Sequence, residues 1–178
     1  MPIAQIDVIP TDYDKWMDAS KTWGAQNPSR AQYTASLIPD GVHVLDIGAA
    51  SMVLRRHLKP RCTYTPSDIV DRGEGCIVSD LNLYEFPHGH YDWISVIGVL
   101  EYINDVRWVI TRAGVSSKKV LLSYNYLEIQ PNLIARRESG WHSHLDQRSL
   151  EQMISESGCQ NVHSPAPAWY IISFDRGA

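Results

Sequence analysis

Apolar residues in this chain come in short blocks, and several of the blocks stop on an acid. "VHVLDI" (42–47), "RCTYTPSD" (61–68), "GCIVSD" (75–80), "YDWISVIG" (91–98) and "KKVLLSYN" (118–125) predict five strands. Helical patterns lie around and between them. Residues 11–38 read as helix, with Thr11 capping "DYDKWMDAS" and Asn27-Pro28-Ser29 marking a fresh start before "RAQYTASLI". "SMVLRRHLK" (51–59) reads as a further helix, stopped by Pro60. Asp105 caps "VRWVITRAG", whose Val106, Val109 and Ile110 share one face, with Gly114 closing it. Residues 126–145 carry no regular pattern. Asp146 caps "QRSLEQMISESG", with Leu150, Met153 and Ile154 inward and Gly158 at its end. "CQNVHSP" and "AWYIISFD" close the chain as two strands, and the short Pro165-Ala166-Pro167 link makes them antiparallel.

Strands alternating with helices predict a mostly parallel α/β sheet with helices on both faces. The whole chain, 1–178, reads as one domain: a helical cap over residues 1–40 and an α/β core over 41–178. Only "IVDRGE" joins the second and third strands, too short for a crossover helix. Either that crossover is trimmed to a loop or the strand limits differ from these.

Composition narrows the functional classes. A net charge of −4 gives no global basic field, which argues against large nucleic acids and membrane surfaces as partners. No run is apolar enough to span a bilayer, and "MPIAQIDVIPTDYDKW" lacks the basic start and apolar core of a signal peptide. Cys62, Cys76 and Cys159 are scattered without a CxxC pair, so reduced thiols and a cytoplasmic setting are expected. His142 and His144 in "GWHSHLD" have chelating spacing but no Cys or Glu beside them, so no metal is expected. Six tryptophans and nine tyrosines against two phenylalanines favour rings with a polar handle, which suit a polar ligand.

In open α/β sheets ligands sit beyond the carboxyl ends of the strands, so the loop after the first strand is the place to read. A pyrophosphate-binding loop wants GxGxxG. Counting from Gly48, this chain has Ala50 and Val53 at the second and third glycine positions. Asp46 also ends the strand, where a carboxylate opposes an incoming pyrophosphate and suits a cation. Asp68 and Asp80 end the next two strands, placed to accept from ribose hydroxyls and from an adenine amino group. S-adenosylmethionine combines an ammonium, a sulfonium and an adenosine with no phosphate, and matches this set of acids.

On "VLDIGAAS", "YTPSDIVDR", "VSDLN" and "YDWISVIGVLEYINDV" the sequence resembles the class I S-adenosylmethionine-dependent methyltransferases, in particular a compact subset acting on small molecules and glycans. "KKVLLSYN" and "GWHSHLDQRSLEQMISESGCQNV" resemble the family's fifth strand and its last helix. The resemblance implies a Rossmann-like sheet of seven strands, the last antiparallel. It implies S-adenosyl-L-methionine lying against Asp46, Gly48, Ala49, Ala50, Ser51, Asp68, Ile69, Asp80, Leu81, Gly98 and Val99. The family prefers further glycines where this chain has Ala50 and Met52.

The activity implied is methyl transfer to an oxygen or nitrogen of a small-molecule or glycan acceptor. His142, His144 and Glu101 are the candidate bases, and Tyr124, Asn125, Tyr126 and Trp141 the candidate acceptor residues. Arg136 and Arg137 read by default as a solvated face. Two other readings stay open: a non-catalytic binding or scaffold protein of the same fold, which the glycine-poor loop favours, and a nicotinamide-dependent oxidoreductase, which Asp46 and the missing glycines oppose.

Overall fold

The computed structural model describes residues 8–18 and 28–175. The strands are β1 (His43–Ile47), β2 (Thr63–Asp68), β3 (Ile77–Val78), β4 (Tyr91–Val96), β5 (Ser117–Ser123), β6 (Asn161–Ala166) and β7 (Trp169–Ser173). They form a seven-stranded sheet in the order β3-β2-β1-β4-β5-β7-β6. β7 alone runs against its neighbours, pairing antiparallel with both β5 and β6. Strand order turns back between β1 and β4, and that switch point is where a doubly wound sheet opens a crevice for ligands.

The helices are α1 (Tyr13–Met17), α2 (Pro28–Leu37), α3 (Val106–Ser116), α4 (Leu133–Glu138) and α5 (Gln147–Glu156). Period-2 alternation divides the strand residues between two cores. Leu45, Ile47, Ile94, Val96, Val120 and Leu122 pack with Val109 and Ile110 of α3 and Leu150 and Ile154 of α5. Val44, Trp93 and Leu121 project to the other face and meet Ile38 and Leu37 at the end of α2. Tyr33 of α2 adds an edge-to-face contact with Trp169, ring centroids 4.9 Å apart. Each such side chain, fully buried, contributes about 1.5–3 kcal/mol. Asp46 alternates with Leu45 and Ile47, so it shares the α2 side of the sheet with Val44.

Several sequence expectations change. The cap of α1 is Asp12, whose carboxylate accepts from Lys15 N at 3.0 Å, while Thr11 instead donates to Asp80. The early part of the 11–38 stretch lies partly in residues 19–27, outside the described residues. "SMVLRRHLK" is not a two-turn helix; it keeps only a 3-10 turn over Leu54–Arg56. Ala50 (φ 47°) and Met52 (φ 52°) adopt left-handed backbone that a right-handed helix cannot include. Gly114 does not close α3, which continues to Ser116; a Cβ there would lie 2.4 Å from the Phe174 ring, so the glycine admits that ring. Within 126–145 a short helix, α4, forms because Asn132 accepts from Ile134 N and Ala135 N. The crossover between β2 and β3 is a loop without a helix. No helix among the described residues is long and apolar enough to cross a membrane.

Candidate active site

A cavity of about 500 Å³ opens beyond the carboxyl ends of β1, β2 and β4. That lies within the roughly 300–1,000 Å³ typical of small-molecule sites. Of the residues expected at a cofactor, Asp46, Gly48, Ala49, Ala50, Asp68, Ile69, Asp80, Leu81, Gly98 and Val99 line it. Ser51 does not.

The loop after β1 is pinned from both sides. Gly48 N and Ala49 N donate to Ser67 O of β2 at 2.8 and 3.0 Å. Ala50 N donates to Asp68 Oδ2 at 2.8 Å. Gly48 sits at φ +72°, and a Cβ there would fall 2.4 Å from Val99 Cγ2. This one glycine serves both the turn and the close approach of the β4 loop. Gly98 (φ +68°) is similarly covered, with Arg30 Nη1 of α2 2.8 Å from where its Cβ would be.

Each acid at a strand end has a distinct setting. Asp46 is buried and accepts from Tyr64 OH at 2.7 Å. Burial pushes its carboxyl up to about 6, against the pull of that hydrogen bond and of Arg30. Asp68 Oδ1 accepts from Val70 N and from Arg72 Nη2, both at 3.2 Å. Asp80 accepts from Asn82 N at 2.8 Å, from Tyr13 OH at 2.6 Å and from Thr11 Oγ1 at 3.2 Å. The hydrogen bond to Asp80 is the main reason the Tyr13 hydroxyl is pushed up to about 12. Residues 9–16 therefore strap the cavity, tied also by Lys15 Nζ to Ser139 O at 2.6 Å and by Arg72 Nη2 to Trp16 O at 3.2 Å.

The acceptor and base candidates separate into two groups. Trp141 and His142 are on the cavity wall. Glu101, Tyr124, Asn125, Tyr126 and His144 lie behind it. Glu101 is 1% exposed and its Oε1 accepts from Asn125 N and Nδ2 at 2.9 and 2.8 Å, so its carboxylate braces the end of β5. Its backbone carbonyl holds the loop carrying His142, accepting from His142 N at 2.7 Å and Ser143 N at 3.1 Å. Tyr124 is fully buried, its hydroxyl shared by Ser143 Oγ, Leu145 N and Arg136 Nη2. His144 Nδ1 accepts from Arg136 Nε at 3.1 Å. The solvated-face reading of Arg136 is overturned: it is 0% exposed and donates to the carbonyls of Asn125, Gln130 and Ser143 as well. Arg137, its exposed neighbour, reaches the cavity rim.

Among the base candidates only His142 faces the cavity. Burial pushes its imidazole below the ordinary histidine value, so the ring is neutral at pH 7. Its buried Nδ1 has no hydrogen-bond partner, and neither has Arg72 Nε on the same wall. Ser95 Oγ, of another lining residue, is orphaned as well, and three such polar atoms around one cavity fit a site completed by a ligand.

Sequence reasoning missed Thr11, Tyr13, Lys15, Trp16, Arg30, Arg72 and Tyr102. Only Arg72 had a local signal, its four-residue spacing from Asp68. Among the described residues no group of three or more His, Cys, Asp or Glu gathers as a metal site.

A switch-point cavity ringed by strand-end carboxylates, on a sheet with one late antiparallel strand, defines a Rossmann-like fold of the class I methyltransferase type. A family profile described as a methyltransferase domain matches residues 24–164, and the chain belongs to that family. It is an S-adenosylmethionine-dependent methyltransferase, which sets aside the nicotinamide reading. A search of curated proteins finds no match.

Among solved structures, a Haloferax volcanii chain from a complex with the Trm112 methyltransferase activator superposes with TM-score 0.70 at 11% identity, over 94% of this chain and 100% of that one. The O-methyltransferase NcsB1 of neocarzinostatin biosynthesis, in complex with S-adenosylmethionine and 2-hydroxy-5-methyl naphthoic acid, gives 0.58 at 13% identity, over 83% of this chain and 56% of that one. The N-terminal domain of EvdMO1 with S-adenosylhomocysteine bound gives 0.57 at 16% identity, over 85% and 82%. At these identities the likenesses establish a shared fold. The chain spans just over half the length of NcsB1.

Proposed function

We propose that this chain transfers the methyl group of S-adenosylmethionine to an oxygen or nitrogen of a small-molecule or glycan acceptor. The observation that carries the reading is the division of the cavity wall. Asp46, Asp68 and Asp80 stand at the strand ends, while Trp16, Tyr102, Trp141 and His142 stand on the strap and outer loops. Asp46 takes the ammonium of the cofactor's amino-acid end, and Arg30, over Gly98, takes its carboxylate. Asp68 accepts from the ribose hydroxyls, and Asp80 with the Leu81 backbone receives the adenine. Ala49, Ala50, Ile69 and Val99 close around it.

When bound, S-adenosylmethionine supplies an electrophilic methyl carbon, so the chain's work is positioning and exclusion of water. The His142 imidazole receives the acceptor's proton when the nucleophile is a hydroxyl. Calorimetric titration with S-adenosylhomocysteine tests the cofactor half. Binding is expected for the wild type, with a loss of at least about tenfold for Asp68→Ala. Asp71→Ala, whose carboxylate caps only Gly73 N in an exposed turn, is expected to bind as the wild type does. No heat at high micromolar ligand would sink the reading. Turnover across an acceptor panel tests the other half.

A further inference from the structure

The carboxylate of Asp46 depends on a residue outside the cavity. β1 and β2 pair in parallel with Val44 opposite Tyr64 and Asp46 opposite Pro66. Tyr64 therefore lies two positions back, on the face of the sheet that Asp46 shares. Its hydroxyl bridges that diagonal and donates to Asp46 Oδ2 at 2.7 Å. Asp46 lines the cavity and Tyr64 does not, so the tyrosine meets a ligand only through the acid.

Asp46 faces Asp68 at the end of β2, Arg30 of α2, and Ser95, its register partner on β4. Burial and the Asp68 charge work against its ionised form. Tyr64 opposes them most strongly, with smaller pulls from Ser95, whose Oγ completes no hydrogen bond, and from Arg30. Tyr64 in turn faces Cys76 and Arg55. Burial, the Asp46 charge and the hydrogen bond hold the Tyr64 hydroxyl far above its ordinary value, so it stays a donor throughout the neutral range. Burial also holds the Cys76 thiol up, away from neutral pH. A hydrogen bond from a neutral hydroxyl is strongest to the charged carboxylate, so this contact favours the ionised acid.

Resting on the methyl-transfer reading, we propose that Tyr64 is a positioning residue for the cofactor. Its hydroxyl keeps the Asp46 carboxylate ionised and fixed through Oδ2, ready for the ammonium of the amino-acid end. Binding of that cation then carries a proton linkage, because a protonated Asp46 must release its proton before it can serve. With the carboxyl at about 6, affinity is full above neutral pH and falls as pH drops through that value. Without the Tyr64 donor the value rises, and the fall begins at higher pH.

The test is calorimetric titration of the full chain with S-adenosylhomocysteine from pH 5.5 to 8.5. Tyr64→Phe keeps the ring and removes only the donor. It is expected to raise the midpoint by about one to two pH units, the worth of one hydrogen bond to a charged group. At pH 6.5 its affinity should lie about 4- to 30-fold below its own value at pH 8.5, where wild type loses less than about twofold. At pH 8.5 the two proteins should agree within about threefold. His142 on the cavity wall also titrates on the acid side, pushed down by burial, and does so alike in both proteins. In an Asp46→Asn background, Tyr64→Phe is expected to change affinity by less than about twofold at any pH. An unmoved midpoint, a loss of equal size at every pH, or a full Tyr64→Phe effect on top of Asp46→Asn overturns this proposal alone. So does a wild type whose affinity does not fall toward pH 5.5. Failure of S-adenosylhomocysteine to bind wild type at any pH overturns the methyl-transfer reading and this proposal with it.

Discussion

Replacing Asp46 by Asn separates what this residue does for the fold from what it does for a ligand. Asp46 is 7% exposed, and burial moves its carboxyl from 3.8 to about 6. The unfolded chain gives up the Asp46 proton near 3.8 and the folded chain near 6. Stability therefore falls as pH rises through that window, and the loss is complete above the folded value. A rise of about two units is worth about 3 kcal/mol at pH 7. Asn keeps a carbonyl oxygen to accept from Tyr64 OH and carries no charge to desolvate. The ligand-free variant is expected to gain about 1–3 kcal/mol at pH 7 and nothing at pH 3.5. At roughly 2–4 °C per kcal/mol for a domain of this size, its melting temperature rises by about 2–12 °C at pH 7. The same variant loses the negative partner for the cofactor's ammonium, so affinity for S-adenosylhomocysteine falls by about tenfold or more. Thermal melts of both proteins at pH 3.5, 5 and 7, with calorimetry at pH 7, give all the quantities needed. An Asp46→Asn protein that melts no higher than wild type at pH 7, or gains as much at pH 3.5, refutes the reasoning.

Gly48→Ala sets a Cβ 2.4 Å from Val99 Cγ2 at φ +72°, and thermal melts should show a loss of about 1–3 kcal/mol, partly restored by Val99→Ala in the same chain. Ala50→Gly relieves a left-handed residue and should gain up to about 1 kcal/mol in urea unfolding. Met52→Gly relieves the same strain but discards a buried side chain, so it should come out less stable than wild type. Arg136→Lys leaves buried carbonyls and the His144 and Tyr124 acceptors short of donors, and should cost about 2–4 kcal/mol by the same unfolding measurement.

Much of the sheet was legible because buried strands and capped helices write short-range signals. The five blocks ending near Ile47, Asp68, Val78, Val96 and Ser123 are β1 to β5, and Asp105 and Asp146 cap α3 and α5 as their spacing indicates. The helix expected at 51–59 failed because apolar spacing says nothing about φ, and tertiary ties at Ala50 hold left-handed backbone that propensity disfavours. The positions where the family prefers glycine, 50 and 52, are the ones that adopt positive φ, so the departure from glycine marks strain rather than a different loop.

The sequence by itself determined the layered α/β architecture, the late antiparallel hairpin, the acid at the end of each of the first three strands and the single glycine of the first loop. These rest on periodicity, capping and chain connectivity, which act over a few residues. Tertiary structure alone decided which polar residues meet. It sent Glu101, Tyr124 and His144 behind the wall, buried Arg136 among carbonyls, and left His142 on the cavity. It also brought Thr11, Tyr13 and Lys15 across to Asp80 and Ser139, 69, 67 and 124 positions away. Contacts across such separations depend on how the layers pack, and no local pattern encodes them.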